Sequence, residues 1–202
     1  VKNTATEMQK MYDVDYVTAD VSKKEQVVNM VDQVIARFGR IDILHNNAGI
    51  GMTLTNVEDI SEEFYDRMMA VNVKGVFLGV KAVAPHMKKA KKGVIITTGS
   101  TSAVRARAKL SLYGATKGAV VAFSKSMALE LAPYGIRVNI INPVITNTPL
   151  ADPVQIKEYA SGIPLGRIAE PIDIAQAAVF LASEEAGMIT GVELQVDGGR
   201  CV

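Results

Sequence analysis

The sequence predicts an α/β fold, with a parallel sheet that carries helices on both faces. Short apolar, β-branched runs bounded by Gly, Asn, Asp or Pro recur along the chain, and helical patterns lie between them. Such runs are typical of strands buried on both faces. Their alternation with helices favours parallel pairing.

Five segments match the strand pattern: residues 14–20, 41–49, 93–100, 136–144 and 192–199. The first predicted helix lies between the first two. Ser22 and Glu25 have the spacing of a capping box, and the helix runs to Phe38, where Gly39 provides the stop.

Three further helices follow. Ser61 caps a helix that passes through Asn72, and we expect Pro85 to disturb its last turns. Another runs over residues 113–131. Pro171 suits the first position of a helix that ends near residue 183.

Composition limits the classes of function. With 202 residues, of which 49% are hydrophobic, the chain can bury one core, so we expect a single domain over residues 1–202. A net charge of +1 argues against a nucleic-acid or membrane-surface binder, and no apolar run predicts a membrane span. Cys201 is the only cysteine, which excludes an internal disulfide and suggests a cytoplasmic location.

Polar and small residues follow the predicted strands. Asp20 ends the first, Asn46-Asn47-Ala48-Gly49 the second, Thr98-Gly99-Ser100 the third and Asn142-Pro143 the fourth. The carboxyl ends of parallel strands meet at one edge of a sheet, where ligands bind. The sequence therefore predicts a cofactor crevice at this edge.

Tyr113 and Lys117 lie four residues apart on a predicted helix and therefore on one face. An ammonium beside a phenol favours the phenolate and would make Tyr113 an acid/base group. The alternative is a packed tyrosine with a solvated lysine beside it.

Taken together, these motifs resemble the short-chain dehydrogenase/reductase family along nearly the whole chain. The matching positions, in order, are Asn-Asn-Ala-Gly at 46–49, Asn72, Ser100, Tyr113-x-x-x-Lys117, Asn142-Pro143, Thr148, Gly166-Arg167 and the ending at 189–199. The resemblance implies a Rossmann-like, doubly wound fold and an NAD- or NADP-dependent oxidoreductase. The most similar groups are the 3-oxoacyl-carrier-protein reductases and the sugar and cyclic-alcohol dehydrogenases.

The resemblance also implies roles for four catalytic residues. Tyr113 would exchange a proton with the substrate oxygen, and Lys117 would lower the pKa of that tyrosine. Ser100 would hold the substrate oxygen by a hydrogen bond. Asn72 would fix a water that links Lys117 to solvent.

Cofactor contacts are implied for a further set. Asp20 and Val21 would meet the adenine; the alternative for Asp20 is a turn or cap residue. Tyr113 and Lys117 would touch the nicotinamide ribose. The remaining contacts fall on Asn47, Ala48 and Gly49 near a ribose, and on Pro143, Thr146 and Thr148 near the carboxamide.

The chain departs from the family pattern in lacking a glycine-rich phosphate loop. The resemblance implies that the N-terminal strand–helix–strand unit is missing. In the sheet order of the family, its strands would lie between the strand of Asp20 and that of Asn46. We therefore expect the 202 residues to be an incomplete part of a full-length enzyme; the alternative is an inactive fragment. The choice between NAD and NADP depends on a residue at the end of the family's second strand or in its glycine-rich loop, and both lie in the missing unit. Residues 148–166 would form the substrate lid, which is shorter than in many members; either the lid is smaller or residues are missing there too.

Partners follow from the same comparison with the family. We expect a small-molecule or acyl-carrier-linked ketone or alcohol as substrate. The lysines at 88–92 either end a helix or dock an acidic carrier protein. Arg105, Arg107 and Lys109 either meet an anionic substrate or face water.

Small residues recur along the tyrosine helix at Gly114, Gly118 and Ala122. They pack against another subunit, giving a dimer or homotetramer, or against the parent sheet. A metal-dependent protease and a Gly-x-Ser-x-Gly hydrolase are excluded because their motifs are absent. A non-catalytic cofactor-binding or scaffold protein is the alternative to an enzyme.

Overall fold

The computed structural model describes residues 2–149, 151, 156 and 160–202. Its sheet has four parallel strands in the order β1-β2-β3-β4. They are β1 (Ile43–Asn46), β2 (Gly93–Thr98), β3 (Ile136–Pro143) and β4 (Glu193–Val196). Four of the five predicted strands are thus confirmed, each within the expected bounds.

Helices connect the strands. They are α1 (Lys2–Met8), α2 (Lys24–Phe38), α3 (Glu62–Met69), α4 (Gly75–Ala90), α5 (Ser111–Leu131) and α6 (Pro171–Ala182). A π-helical turn, Ala70–Lys74, joins α3 to α4. Pro171 occupies the first turn of α6, as predicted.

Both faces of the sheet are covered. On β2, Ile95 packs with Val83 of α4 and Leu131 of α5. Its neighbours on the strand, Val94 and Ile96, pack with Leu181 of α6 instead. Because successive side chains of a strand point to opposite faces, α4 and α5 lie on one side and α6 on the other. The predicted two-sided α/β architecture is confirmed.

The predicted strand at residues 14–20 is wrong. This segment has no β pairing, and most of its residues are exposed. β1 is the edge of the sheet and pairs only with β2 among the described residues. A strand needs a neighbour for its backbone hydrogen bonds, and the segment has none within the described part of the chain.

The predicted capping box at Ser22 and Glu25 is also wrong. Helix α2 begins after Lys23, which makes no side-chain cap. The hydroxyl of Ser22 donates instead to the Asp20 carboxylate at 2.7 Å. This is the competition between local turns and helix caps that serine side chains allow. Gly39 does end the helix, in the left-handed conformation.

The helical segment from α3 through α4 is continuous. The Ser61 oxygen accepts from the Phe64 N–H at 3.2 Å, which confirms the predicted cap. Pro85 lies within α4, yet the helix continues to Ala90.

By length and composition alone, the helical stretch Glu62–Ala90 could cross a membrane. In the fold its apolar residues Val76, Leu78, Val80, Val83 and Met87 are buried in the core.

Candidate active site

The carboxyl ends of β1, β2 and β3 open onto one cleft of about 880 Å³. Most of the predicted site residues line it. These are Asn47, Ala48, Gly49, Ser100, Tyr113, Lys117, Pro143, Thr146 and Thr148. The structure thus brings together side chains from segments that lie up to about a hundred residues apart in the sequence, as expected at this edge of a parallel sheet.

Tyr113 and Lys117 lie one turn apart at the start of α5. The Lys117 Nζ is 5.7 Å from the centre of the Tyr113 ring. Lys117 is only 6% exposed, and its Nζ donates to the Thr98 carbonyl at 2.8 Å. Burial lowers the pKa of Lys117 to about 8. The ammonium form is therefore still favoured at pH 7, and it lies beside the phenol.

Ser100 is the second residue after β2 and lines the cleft. Its N–H donates to the Asn142 Oδ1 at 3.0 Å, which ties the loop to β3. Its Oγ accepts from the Ser102 N–H at 3.1 Å. An oxygen that accepts there keeps its own O–H free to donate into the cleft.

Asn72 lies in the π-helical turn between α3 and α4 and is buried. Its Oδ1 accepts from the Ile50 N–H at 2.8 Å, and its Nδ2 donates to the Ile50 carbonyl at 3.0 Å. The Nδ2 also lies 3.2 Å from the Thr116 hydroxyl. The side chain therefore fixes the loop after Gly49. Its role in holding a water stays a prediction.

Gly49, which has no side chain, allows its loop to come close to Asn72 and Lys117. A Cβ at Gly49 would lie 3.3 Å from the Asn72 Oδ1 and 3.8 Å from the Lys117 Nζ. The backbone at Gly49 is thus packed against Asn72 and Lys117 without a side chain between them.

Asp20 and Val21 do not line the cleft. The Asp20 carboxylate accepts from the Ser22 hydroxyl and N–H, and mainly the hydroxyl bond lowers the pKa of Asp20. Val21 packs against α4, because a Cβ at Gly75 would meet its Cγ2 at 2.9 Å. Asp20 therefore makes the contacts of a turn residue, which was the alternative to an adenine contact. The adenine contact of both residues stays a prediction.

Sequence reasoning missed several cleft residues, and two of them have hydrogen bonds to the site. Met52 lines the cleft, and its Sδ accepts from the Tyr113 N–H at 3.4 Å. His45 also lines the cleft, and its Nε2 lies 3.0 Å from the Thr98 hydroxyl, which in turn donates to the Asn47 Oδ1. His45 could have been found, since it directly precedes the polar strand end. Met52 follows no pattern that would reveal it.

Eight residues of the predicted lid at 148–166, namely 150, 152–155 and 157–159, lie outside the described residues, and its role as a lid stays a prediction. Among the residues that the structure describes, no group of three His, Cys, Asp or Glu side chains could hold a metal ion. The polar side chains of the described site are hydroxyl, amide and amine groups together with the His45 imidazole.

The chain matches known proteins over almost its whole length. The family model described as enoyl-(acyl carrier protein) reductase, one of the short-chain dehydrogenase models, matches residues 1–200. The chain is a short-chain dehydrogenase/reductase. The resemblance inferred from the sequence motifs is confirmed, and members of this family are NAD(P)-dependent oxidoreductases.

Among curated short-chain dehydrogenases, the cyclopentanol dehydrogenase of a Comamonas species is 40% identical over 185 residues, covering 89% of this chain and 74% of that protein. The 3-oxoacyl-[acyl-carrier-protein] reductase of Thermotoga maritima is 38% identical over 192 residues, covering 94% and 78%.

A solved structure supports the same fold. The 3-ketoacyl-(acyl-carrier-protein) reductase of Brucella melitensis, in complex with NADH, aligns with a TM-score of 0.95 and 44% identity. The alignment covers all of this chain and 83% of that one.

Proposed function

We propose that this short-chain dehydrogenase/reductase interconverts a ketone and a secondary alcohol, with Tyr113 as the general acid/base. The observation that supports the assignment is the placement of Tyr113, Lys117 and Ser100 around one cleft. The curated relatives support the reaction class, because their names describe an alcohol dehydrogenase and a 3-oxoacyl reductase.

NAD(P), when bound, supplies or accepts the hydride at the substrate carbon. The residues of this chain handle the oxygen and its proton. In the reducing direction Ser100 donates a hydrogen bond to the carbonyl oxygen, and Tyr113 gives that oxygen its proton. Lys117, charged and buried beside the ring, stabilises the phenolate that remains. The oxidising direction is the reverse.

Residues that line the cleft would hold the cofactor. We propose that Asn47, Ala48 and Gly49 contact its ribose and that Pro143, Thr146 and Thr148 contact the carboxamide. Their common position along the cleft supports this, as does the close packing at Gly49.

We propose a free small molecule rather than a carrier-linked one as substrate. The lysines at 88–92 end α4 just before β2 begins, so they lie at the amino ends of the strands. The cleft lies at the opposite edge. Two of these lysines also form ion pairs, Lys88 with Glu130 and Lys92 with Glu184. A carrier protein docked there would be far from Tyr113.

We further propose a cytoplasmic homo-oligomer, a dimer or tetramer. Nothing lies within 4 Å of the position that a Cβ at Gly118 would take, and Ala122 is exposed on the same stripe. Leu129 on the same helix is 81% exposed. The stripe at Gly118 and Ala122 is therefore not packed against the parent sheet, which favours contact with a second subunit.

The experiment is a Tyr113→Phe substitution, assayed by absorbance of the reduced cofactor with a panel of ketones. We expect turnover to fall by roughly 100- to 10,000-fold, the usual contribution of general acid–base catalysis. Tyr65→Phe, which removes a hydroxyl from an exposed tyrosine of α3, should leave turnover unchanged. Undiminished turnover in Tyr113→Phe would contradict the assignment, and an inactive parent protein would favour the non-catalytic alternative.

A further inference from the structure

We propose that the cleft selects a substrate that is neutral and apolar next to Tyr113 and rejects ketones or alcohols bearing a carboxylate or phosphate there. The inference rests on the proposed function, because it defines the substrate class of the same site. It follows from the walls of the cleft and from the positions of the cations nearby.

The walls beside Tyr113 are apolar. Met52 lies against the start of α5, where its sulfur accepts from the Tyr113 N–H. Leu110, which precedes α5, and Val144, which follows β3, are both buried and line the same cleft. Apart from Lys117, the polar side chains that line the cleft carry hydroxyl, amide or imidazole groups, which are uncharged at pH 7. A pocket of this composition gains affinity from apolar surface and orients the ligand with few polar contacts.

The described part of the cleft offers no spare positive charge. Among the described residues that line it, Lys117 is the only lysine or arginine. Its Nζ donates a hydrogen bond to the Thr98 carbonyl and lies beside the ring of Tyr113. An anionic substrate would have to give up water without gaining a cationic partner, which is costly.

The cations of the loop before α5 lie outside the cleft. Arg105 donates to the carbonyl of Arg200, in the turn after β4. Lys109 is exposed, and its carbonyl accepts from the Thr55 N–H at 3.0 Å. Arg107 does not line the cleft either. The sequence left open whether these three residues meet an anionic substrate or face water. Their positions disfavour a site for an anionic substrate.

The test compares two ligands that differ in charge and by one methyl group: cyclohexanone bearing a ring carboxylate and its methyl ester. Equilibrium binding is measured with Tyr113→Phe protein and NADH or NADPH, so that the result does not depend on turnover. We expect the ester to bind on the order of 100-fold more tightly than the carboxylate. Turnover of both ketones is then measured with the parent protein.

Two variants sharpen the test. Met52→Lys places a cation on the apolar wall and should reduce the preference for the ester by about 10-fold or more. Thr53→Lys adds the same charge one residue further along, at an exposed position that does not line the cleft, and should leave the preference intact.

The outcomes separate the two proposals. Equal binding of the two ligands, tighter binding of the carboxylate, or no binding of either would overturn charge selection. Selective binding of the ester without turnover by the parent protein would support charge selection while refuting the proposed reaction.

Discussion

The side-chain amide of Asn72 binds both backbone groups of Ile50. Its Oδ1 accepts from the N–H at 2.8 Å, and its Nδ2 donates to the carbonyl at 3.0 Å. The two residues lie 22 positions apart, and this pair of hydrogen bonds fixes the loop after Gly49 beside Lys117. Asn72 thus holds one wall of the cleft.

We expect Asn72→Ala to destabilise the protein and to lower activity. The substitution removes the partners of two backbone groups, and each such group left unpaired costs roughly 1–3 kcal/mol. Denaturant unfolding should show a loss of at least about 2 kcal/mol, and turnover should fall at least about 10-fold as the loop moves. Asn56→Ala removes an exposed amide that bonds to Asp59 and should change neither quantity much. Unchanged stability in Asn72→Ala would mean that the loop is held by other contacts.

The buried amine of Lys117 makes stability depend on pH. Its pKa falls from 10.5 to about 8 in the folded protein, because burial penalises the charged form. Between these values the unfolded chain binds more protons than the folded one, so stability rises with pH over this range. The difference corresponds to roughly 3 kcal/mol.

Lys117→Met should remove this dependence. We expect the free energy of unfolding of the parent protein to rise relative to the variant by up to about 3 kcal/mol between pH 8 and pH 10.5. Chemical unfolding over a pH series measures it. Lys81→Met, at an exposed position of α4, is the control for the loss of a lysine. A constant difference between parent and Lys117→Met across the series would contradict the prediction.

Elements stabilised by their own sequence could be predicted. Helix α5, the Pro171 start of α6 and the buried strands each depend on local composition and periodicity. The clustering of Ser100, Tyr113 and Lys117 also follows, since parallel strands end at one edge. The strand at 14–20 was wrong because a strand exists only with a neighbour, and β1 has one partner in the described sheet.

Other features depend on contacts that sequence separation hides. Ser22 could cap α2 or bond to Asp20, and only the folded turn decides between them. The role of Met52 depends on a loop that reaches Tyr113, 61 positions further along the chain. The π-helical turn at Asn72 likewise reflects its distant partners, Ile50 and Thr116.

Gly99 is required by the position of Asn142. A Cβ at Gly99 would lie 2.1 Å from the Asn142 Oδ1, the atom that accepts from the Ser100 N–H. We expect Gly99→Ala to cost roughly 1–3 kcal/mol of stability through overpacking and to abolish most activity by displacing Ser100. Thermal unfolding and turnover measure the two effects.

Ser100→Ala separates the two effects of Gly99→Ala. It removes the hydroxyl but leaves Asn142 in place, so it should lose activity while stability falls by no more than about 1 kcal/mol, the usual cost of a lost cap. Equal loss of stability in the two variants would show that the contact between Gly99 and Asn142 is not the cause.

The small-residue stripe on α5 predicts where subunits meet. Ala122 is exposed and lies one turn after Gly118, where an added Cβ would have no atom within 4 Å. A bulky charge at this point would be buried without a partner in a helix–helix interface, so Ala122→Arg should dissociate the oligomer. Light scattering after size-exclusion chromatography measures the mass, and Gln33→Arg, exposed on α2, is the matched control. A monomeric parent would refute the proposed oligomer. An Ala122→Arg oligomer of unchanged size would place the interface elsewhere, because close approach at the stripe leaves no room for the arginine.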